Sequence, residues 1–173
     1  MATLKRESAS ALRATAFHEA GHAVMHVLAG HQLQLLSIKP GQESHGGTKV
    51  VPQFRVPSSG PVSPQTVANV EAAVCILLAG WEAQQRAAPK SARGHGTVED
   101  ARKAVDLIDV LSGSSEEVQA WIHLLEVRTR HRVAHYWRAV NSVATALLEK
   151  ETLDGAEAGT LIHEALRFGG RKG

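Results

Sequence analysis

The sequence predicts a mainly α fold, a compact helical domain with a small β-hairpin after its first helix. Apolar residues recur at three- and four-residue spacing through most of the chain, whereas β-branched runs cluster in one short stretch. Aromatics supply only 4% of residues, so the core must rely on Leu, Val, Ile and abundant Ala, which suits closely packed helices.

A first helix is expected from Ser8 or Ser10 to Ala29, with Leu12, Ala16, Ala20, Ala23, Val24, Val27 and Leu28 as its apolar stripe and Gly30 as its stop. Leu33 to Ile38 and Thr48 to Val51 flank the turn-rich segment from Lys39 to Gly47 and read as a hairpin. Pro52, Pro57, Pro61 and Pro64 keep the next stretch irregular. A second helix is expected from Pro64 or Gln65 to about Ala88, with Val67, Val70, Val74, Leu77, Leu78 and Trp81 at helical spacing. Gly80 inside it costs about 1 kcal/mol relative to Ala, which a close approach to another backbone would explain. A third helix opens at Thr97, where Thr97 and Asp100 have capping-box spacing, and Val98, Ala101, Val105 and Ile108 form its apolar face. Ser114 starts a long helical stretch toward Lys150 with room for one break, and Asp154 with Glu157 caps a last short helix.

The 173 residues suit one domain, with no internal repeat and no linker, and Gly169 to Gly173 read as a frayed tail. A net charge of +2, evenly spread, argues against nucleic acid as a partner. The single Cys75 excludes an intrachain disulfide framework, suits a reducing compartment and reads as a buried small hydrophobe. The N-terminus lacks the apolar core of a signal peptide and no apolar run looks long enough to cross a bilayer, so a cytoplasmic location is expected.

The chemistry concentrates in His18-Glu19-Ala20-Gly21-His22. Histidines four apart stack on one helix face and can converge on one metal ion, zinc above all. An acid one residue after the first histidine can take a proton from water on that metal. With ten histidines in 173 residues, random order would produce this pattern only about 0.04 times. Small Ala20 and Gly21 leave room for another element near the metal, and His26, one turn further, reads as a packing residue. Two histidines leave zinc short of a protein ligand, and no short extension of the motif supplies one. By chemistry alone the candidates are His45, His95, Glu99, Asp100 and Glu71.

Phe17-His18-Glu19-Ala20-Gly21-His22-Ala23-Val24 resembles the active-site helix of the peptidase domain of the FtsH-type ATP-dependent zinc metalloproteases. Ile38-Lys39-Pro40 with Gly46-Gly47-Thr48 is similar to that family's strand, proline turn and Gly-x-Thr strand. Leu77 to Ala83, Gly96 to Asp100 with Lys103-Ala104, and Leu147 to Gly155 resemble its later segments in the same order. The resemblance implies a zinc metalloendopeptidase with Glu19 as general base, Asp100 as the third ligand beside His18 and His22, and Gly47 and Thr48 on an edge strand that receives an extended substrate. Departures fall at His95, Thr97, Glu99 and Gln84, where the family usually has Thr, Ala, Asn and Glu.

No transmembrane segment is expected, and the sequence has no Gly-x-x-x-x-Gly-Lys-Ser/Thr phosphate loop, so ATP-driven unfolding is not expected of it. Its Met1 and family-like C-terminal segment give the expectation of a complete chain. The expected activity is ATP-independent hydrolysis of peptides or flexible protein segments, with a homo-oligomer or an ATPase partner in trans as the expected associations. The alternative is a metal-bearing domain that binds peptides or a partner with little or no turnover; an intact Glu19 argues against it.

Overall fold

In the computed structural model, residues 2–39, 47–56, 61–91 and 95–169 are described; the side chains of residues 2–8, 95 and 168–169 fall outside that description. The elements run α1 (Ala2–Leu28), β1 (Gln32–Ser37), β2 (Gly47–Val51), α2 (Pro64–Ala87), α3 (His95–Asp109), α4 (Ser115–His135), α5 (Trp137–Lys150), β3 (Thr152–Asp154) and α6 (Gly155–Gly169). The mainly α expectation holds.

α1 begins earlier than expected and stops where Gly30 adopts φ 82°. There Gly30 N donates to Val27 O and His31 N to His26 O, a Schellman closure that satisfies the last carbonyls and turns the chain into β1. α2 starts as its sequence suggests. The Ser63 side chain accepts from Thr66 N at 3.1 Å, and Pro64 needs no donor in the first turn. The stretch from Ser114 breaks once, at Tyr136, into α4 and α5.

The hairpin is present, with Leu36 opposite Thr48 and Leu33 opposite Val50. Its register shifts between Leu33 and Leu35. That bulge re-phases the pleat so that Leu33, Leu36 and Ile38 all face the core although their spacing is not strictly alternate. A third strand was not anticipated. β3 pairs antiparallel with the other side of β1, giving the order β2-β1-β3 and leaving β2 at an edge. Asp154 ends β3 and still caps α6, its Oδ1 accepting from Glu157 N at 2.9 Å.

The core is seamed with small residues. Ala16, Ala20 and Ala23 of α1 and Ala79 and Ala83 of α2 are wholly buried, and α1 and α2 share the most extensive packing among the described elements. A Cβ on Gly21 would lie 2.4 Å from the Ala79 carbonyl oxygen, so α2 approaches α1 closely at the motif, as the small Ala20 and Gly21 suggest. Beside the motif, Phe17 stacks on Trp137 with ring centroids 5.4 Å apart; Arg13 covers one ring and Arg86 the other. The stack ties α1, α2 and α5 together one residue from His18.

Two expectations need correction. By length and composition α2 does qualify as a membrane-crossing helix, with mean hydropathy 1.3 over 18 residues; here it packs against α1, α3 and α4 and buries Val70, Val74, Cys75 and Ala79. α3 opens at His95, so Thr97 lies inside the helix, and Asp100 turns to the α1 histidines instead of closing a capping box. Its buried face carries Thr97, Ala104 and Ile108, while Val98 and Val105 are exposed.

Candidate metal centre

His18 and His22 project from one face of α1 into the seam with α2, where Asp100 meets them from the first turns of α3. The two Nε2 atoms lie 3.0 Å apart. Asp100 Oδ2 lies 3.2 Å from each of them. Both histidines are buried and Asp100 is nearly so. These three side chains form a candidate metal-binding triad, each offering one ligand atom.

Hydrogen bonding sets the direction of one lone pair. The carbonyl of Ile76 can only accept, so the 2.8 Å contact with His22 Nδ1 is an N–H donated by the ring. In the neutral ring the Nε2 lone pair then faces both a carboxylate oxygen and a second imidazole nitrogen. That arrangement is repulsive unless a cation, or the N–H of a neutral His18 ring, lies among the three atoms. A proton can fill this role, and His22 is accordingly held above its ordinary pKa. Burial alone would lower it, but the hydrogen bond with Asp100, the charges of Glu19 and Asp100, and the Ile76 carbonyl prevail. Burial would likewise raise Asp100, yet its hydrogen bonds to His18 and His22 hold the carboxyl well below the usual range. A divalent metal ion answers the same demand with more charge. Two imidazoles and a carboxylate suit a first-row transition metal, and three protein donors leave coordination open.

Gly80 has a reason different from the expected one. A Cβ there would lie 2.4 Å from His22 Nε2 and 2.7 Å from His18 Cε1, so its missing side chain makes room for the imidazoles. The backbone approach belongs to Gly21. Neither the Ile76 carbonyl nor this use of Gly80 is apparent in the sequence. A backbone acceptor leaves no residue signature, and a glycine inside a helix indicates crowding without saying by what.

Glu19 is buried beside the triad. Its Oε2 accepts from the Thr48 hydroxyl at 2.9 Å. Gly47 opens β2 next to it, with no atom of the described residues, its chain neighbours aside, within 4 Å of the position of a Cβ. Two of the ligand candidates are engaged elsewhere. Glu71 pairs with Arg128 at 2.9 Å, and Glu99 pairs with Arg102 at 2.8 Å. His45 and the side chain of His95 lie outside the described residues. His26 is not part of the triad; its Nδ1 meets His31 Nδ1 at 3.1 Å.

Compared with known proteins, the chain matches no family model and no curated sequence.

Proposed function

We propose that the chain is a zinc-dependent, ATP-independent metalloendopeptidase acting on peptides or flexible protein segments, with His18, His22 and Asp100 as zinc ligands and Glu19 as general base. One observation carries the reading. Asp100, 78 positions beyond His22 in the chain, places Oδ2 at the same 3.2 Å from both Nε2 atoms, beside a buried glutamate that follows the first histidine. The resemblance to the FtsH-type peptidase domain supports it, since the same three residues fall on that family's ligand positions. Tetrahedral zinc with bonds near 2.0–2.1 Å keeps its ligand atoms roughly 3.3 Å apart, close to the spacing of these donors.

Zinc at such a site acts as a Lewis acid and brings the pKa of water on it to about 7. The chain's own residues do the rest. His22 is fixed in ring orientation by Ile76, as metal-ligating histidines usually are by a second partner. Asp100 supplies the negative charge that makes the donor set favour a dication. Glu19 takes the proton from the attacking water and can return it to the departing amine. β2, at the sheet edge, offers an extended peptide a strand to pair with.

The test is metal analysis of the purified chain together with cleavage of unfolded casein, with and without a chelator. One zinc per chain and chelator-sensitive cleavage are expected. Glu19→Gln should keep the zinc and lose about 10²–10⁴ in rate. Zinc binding without any cleavage would leave a metal-bearing binding domain instead.

A further inference from the structure

Thr48 enters through the resemblance as a substrate contact, yet its hydroxyl is directed at the base. Oγ1 lies 2.9 Å from Glu19 Oε2 and 3.5 Å from the Glu19 backbone carbonyl oxygen. A threonine hydroxyl has one proton to give, and the shorter, charge-assisted contact takes it. That leaves the hydroxyl only its lone pairs with which to meet a substrate.

The two ends of this bond differ in stiffness. Glutamate is among the side chains with the most rotamer freedom to lose. Threonine is β-branched and stiff at χ1, and Thr48 lies in a paired strand opposite Leu36, which is wholly buried. The strand therefore holds the hydroxyl, and the hydroxyl holds the carboxylate. With Oε2 engaged by Thr48, Oε1 is left to accept a proton.

We propose that Thr48 is a positioning residue for Glu19, fixing the orientation of its carboxylate from the edge strand. The proposal rests on the peptidase reading for its kinetic consequence, but the bond itself can be tested without turnover. Thr48→Val removes the hydroxyl at nearly constant shape, and Thr48→Ser keeps it. In the zinc-loaded chain cleaving a fluorogenic peptide, Thr48→Val should lower kcat by about 10- to 10²-fold with KM unchanged, the scale on which a misplaced group costs rate. Thr48→Ser should recover most of the loss, and zinc content should stay at the parent value in both. In a Glu19→Ala background, Thr48→Val should cost no further activity.

The second readout is thermal unfolding in the presence of a chelator. Thr48→Val should lower the melting temperature of the parent but not that of Glu19→Ala, because the coupling disappears with its partner. An equal drop in both backgrounds, or a raised KM at constant kcat, overturns the proposal and returns Thr48 to packing or to substrate contact. Thr48→Ala repeats the unfolding measurement if the valine variant does not fold. A parent that cleaves nothing sinks the peptidase reading, while the unfolding comparison still decides the bond.

Discussion

α1 and the turn that follows it hold two pairs of histidines at nearly the same separation, with different chemistry. His18 and His22 bring Nε2 atoms to 3.0 Å; His26 and His31 bring Nδ1 atoms to 3.1 Å. The first pair has the Asp100 carboxylate 3.2 Å from both nitrogens, and His22 is held above its ordinary pKa. The second has Phe54 edge-on to His31, with ring centroids 4.5 Å apart, and both of its pKa values are lowered, burial being the largest cause for each. Close imidazoles alone therefore do not make a metal site. One ring of the second pair donates an N–H to the other and burial favours the neutral form of both, although His31 Nε2 is buried without a hydrogen-bond partner among the described residues. In the first pair the acid and the Ile76 carbonyl favour a positive charge between the rings.

The largest expected effect comes from removing either ring of the first pair. His18→Ala or His22→Ala should abolish stoichiometric zinc binding, as measured by metal analysis after dialysis. Asp100→Asn comes next, because the amide keeps the shape but gives up the charge that separates the two pairs. Zinc affinity should fall by more than the 10- to 10²-fold that loss of a residue merely supporting a ligand costs. The rise in melting temperature on adding zinc should largely vanish with it. A retained rise in Asp100→Asn, with its loss in His95→Ala, would move the third ligand to His95. Zinc affinity should also weaken as pH falls, since protons compete for a site whose histidine binds them more readily than a free imidazole.

A subtler variant separates the site from the fold. Gly80→Ala places a methyl group where His22 Nε2 and His18 Cε1 already are, and His22 cannot easily move while Ile76 holds its ring. Gly21→Ala instead drives a methyl against the Ala79 backbone. Gly80→Ala should lose most zinc affinity with a modest change in the chelated melting temperature. Gly21→Ala should cost stability first, on the order of the 1–3 kcal/mol of an overpacked core. Unfolding curves in chelator, set beside zinc titrations of both variants, decide the matter. Similar losses in both would mean that the two glycines share one packing role.

The sequence made the first pair legible because helical spacing is local: His18, Glu19 and His22 need only α1 to form. The hairpin, the start of α2 at Pro64, the start of α4 after Ser114 and the burial of Cys75 were legible for the same reason. Asp100 was not accessible from spacing, since it arrives from another helix; chemistry left five candidates, and the resemblance chose among them. The face of α3 was legible at Ile108 but misread at Val98 and Val105, because its inward positions include Thr97 and Asp100, polar residues given to the site, which displaced the apolar periodicity. β3 was missed because three residues carry almost no pattern and their pairing is decided by β1.

The smallest expected effect concerns the second pair. His26→Gln should leave zinc stoichiometry at the parent value, and its signature should lie in acid stability. His26 is pushed down to about 3 from 6.5, by burial first and then by the nearby His22 and His31. Below about pH 6.5 the unfolded chain accepts a proton at this position that the folded chain refuses until about pH 3. The contribution is therefore fully present above that window and is lost as pH falls through it, by at most about 1.4 kcal/mol per pH unit. The first pair does not obscure this between about pH 6 and 4.5. His22, raised in the fold, has gained its full stabilisation once pH is below its unfolded value of 6.5, and Asp100 stays ionised in both states until pH nears 3.8. In chelator, the denaturation midpoint of the parent should thus fall across this range more steeply than that of His26→Gln. Equal slopes would mean that residue 26 takes up its proton without unfolding, and a loss of zinc would make it part of the metal centre after all.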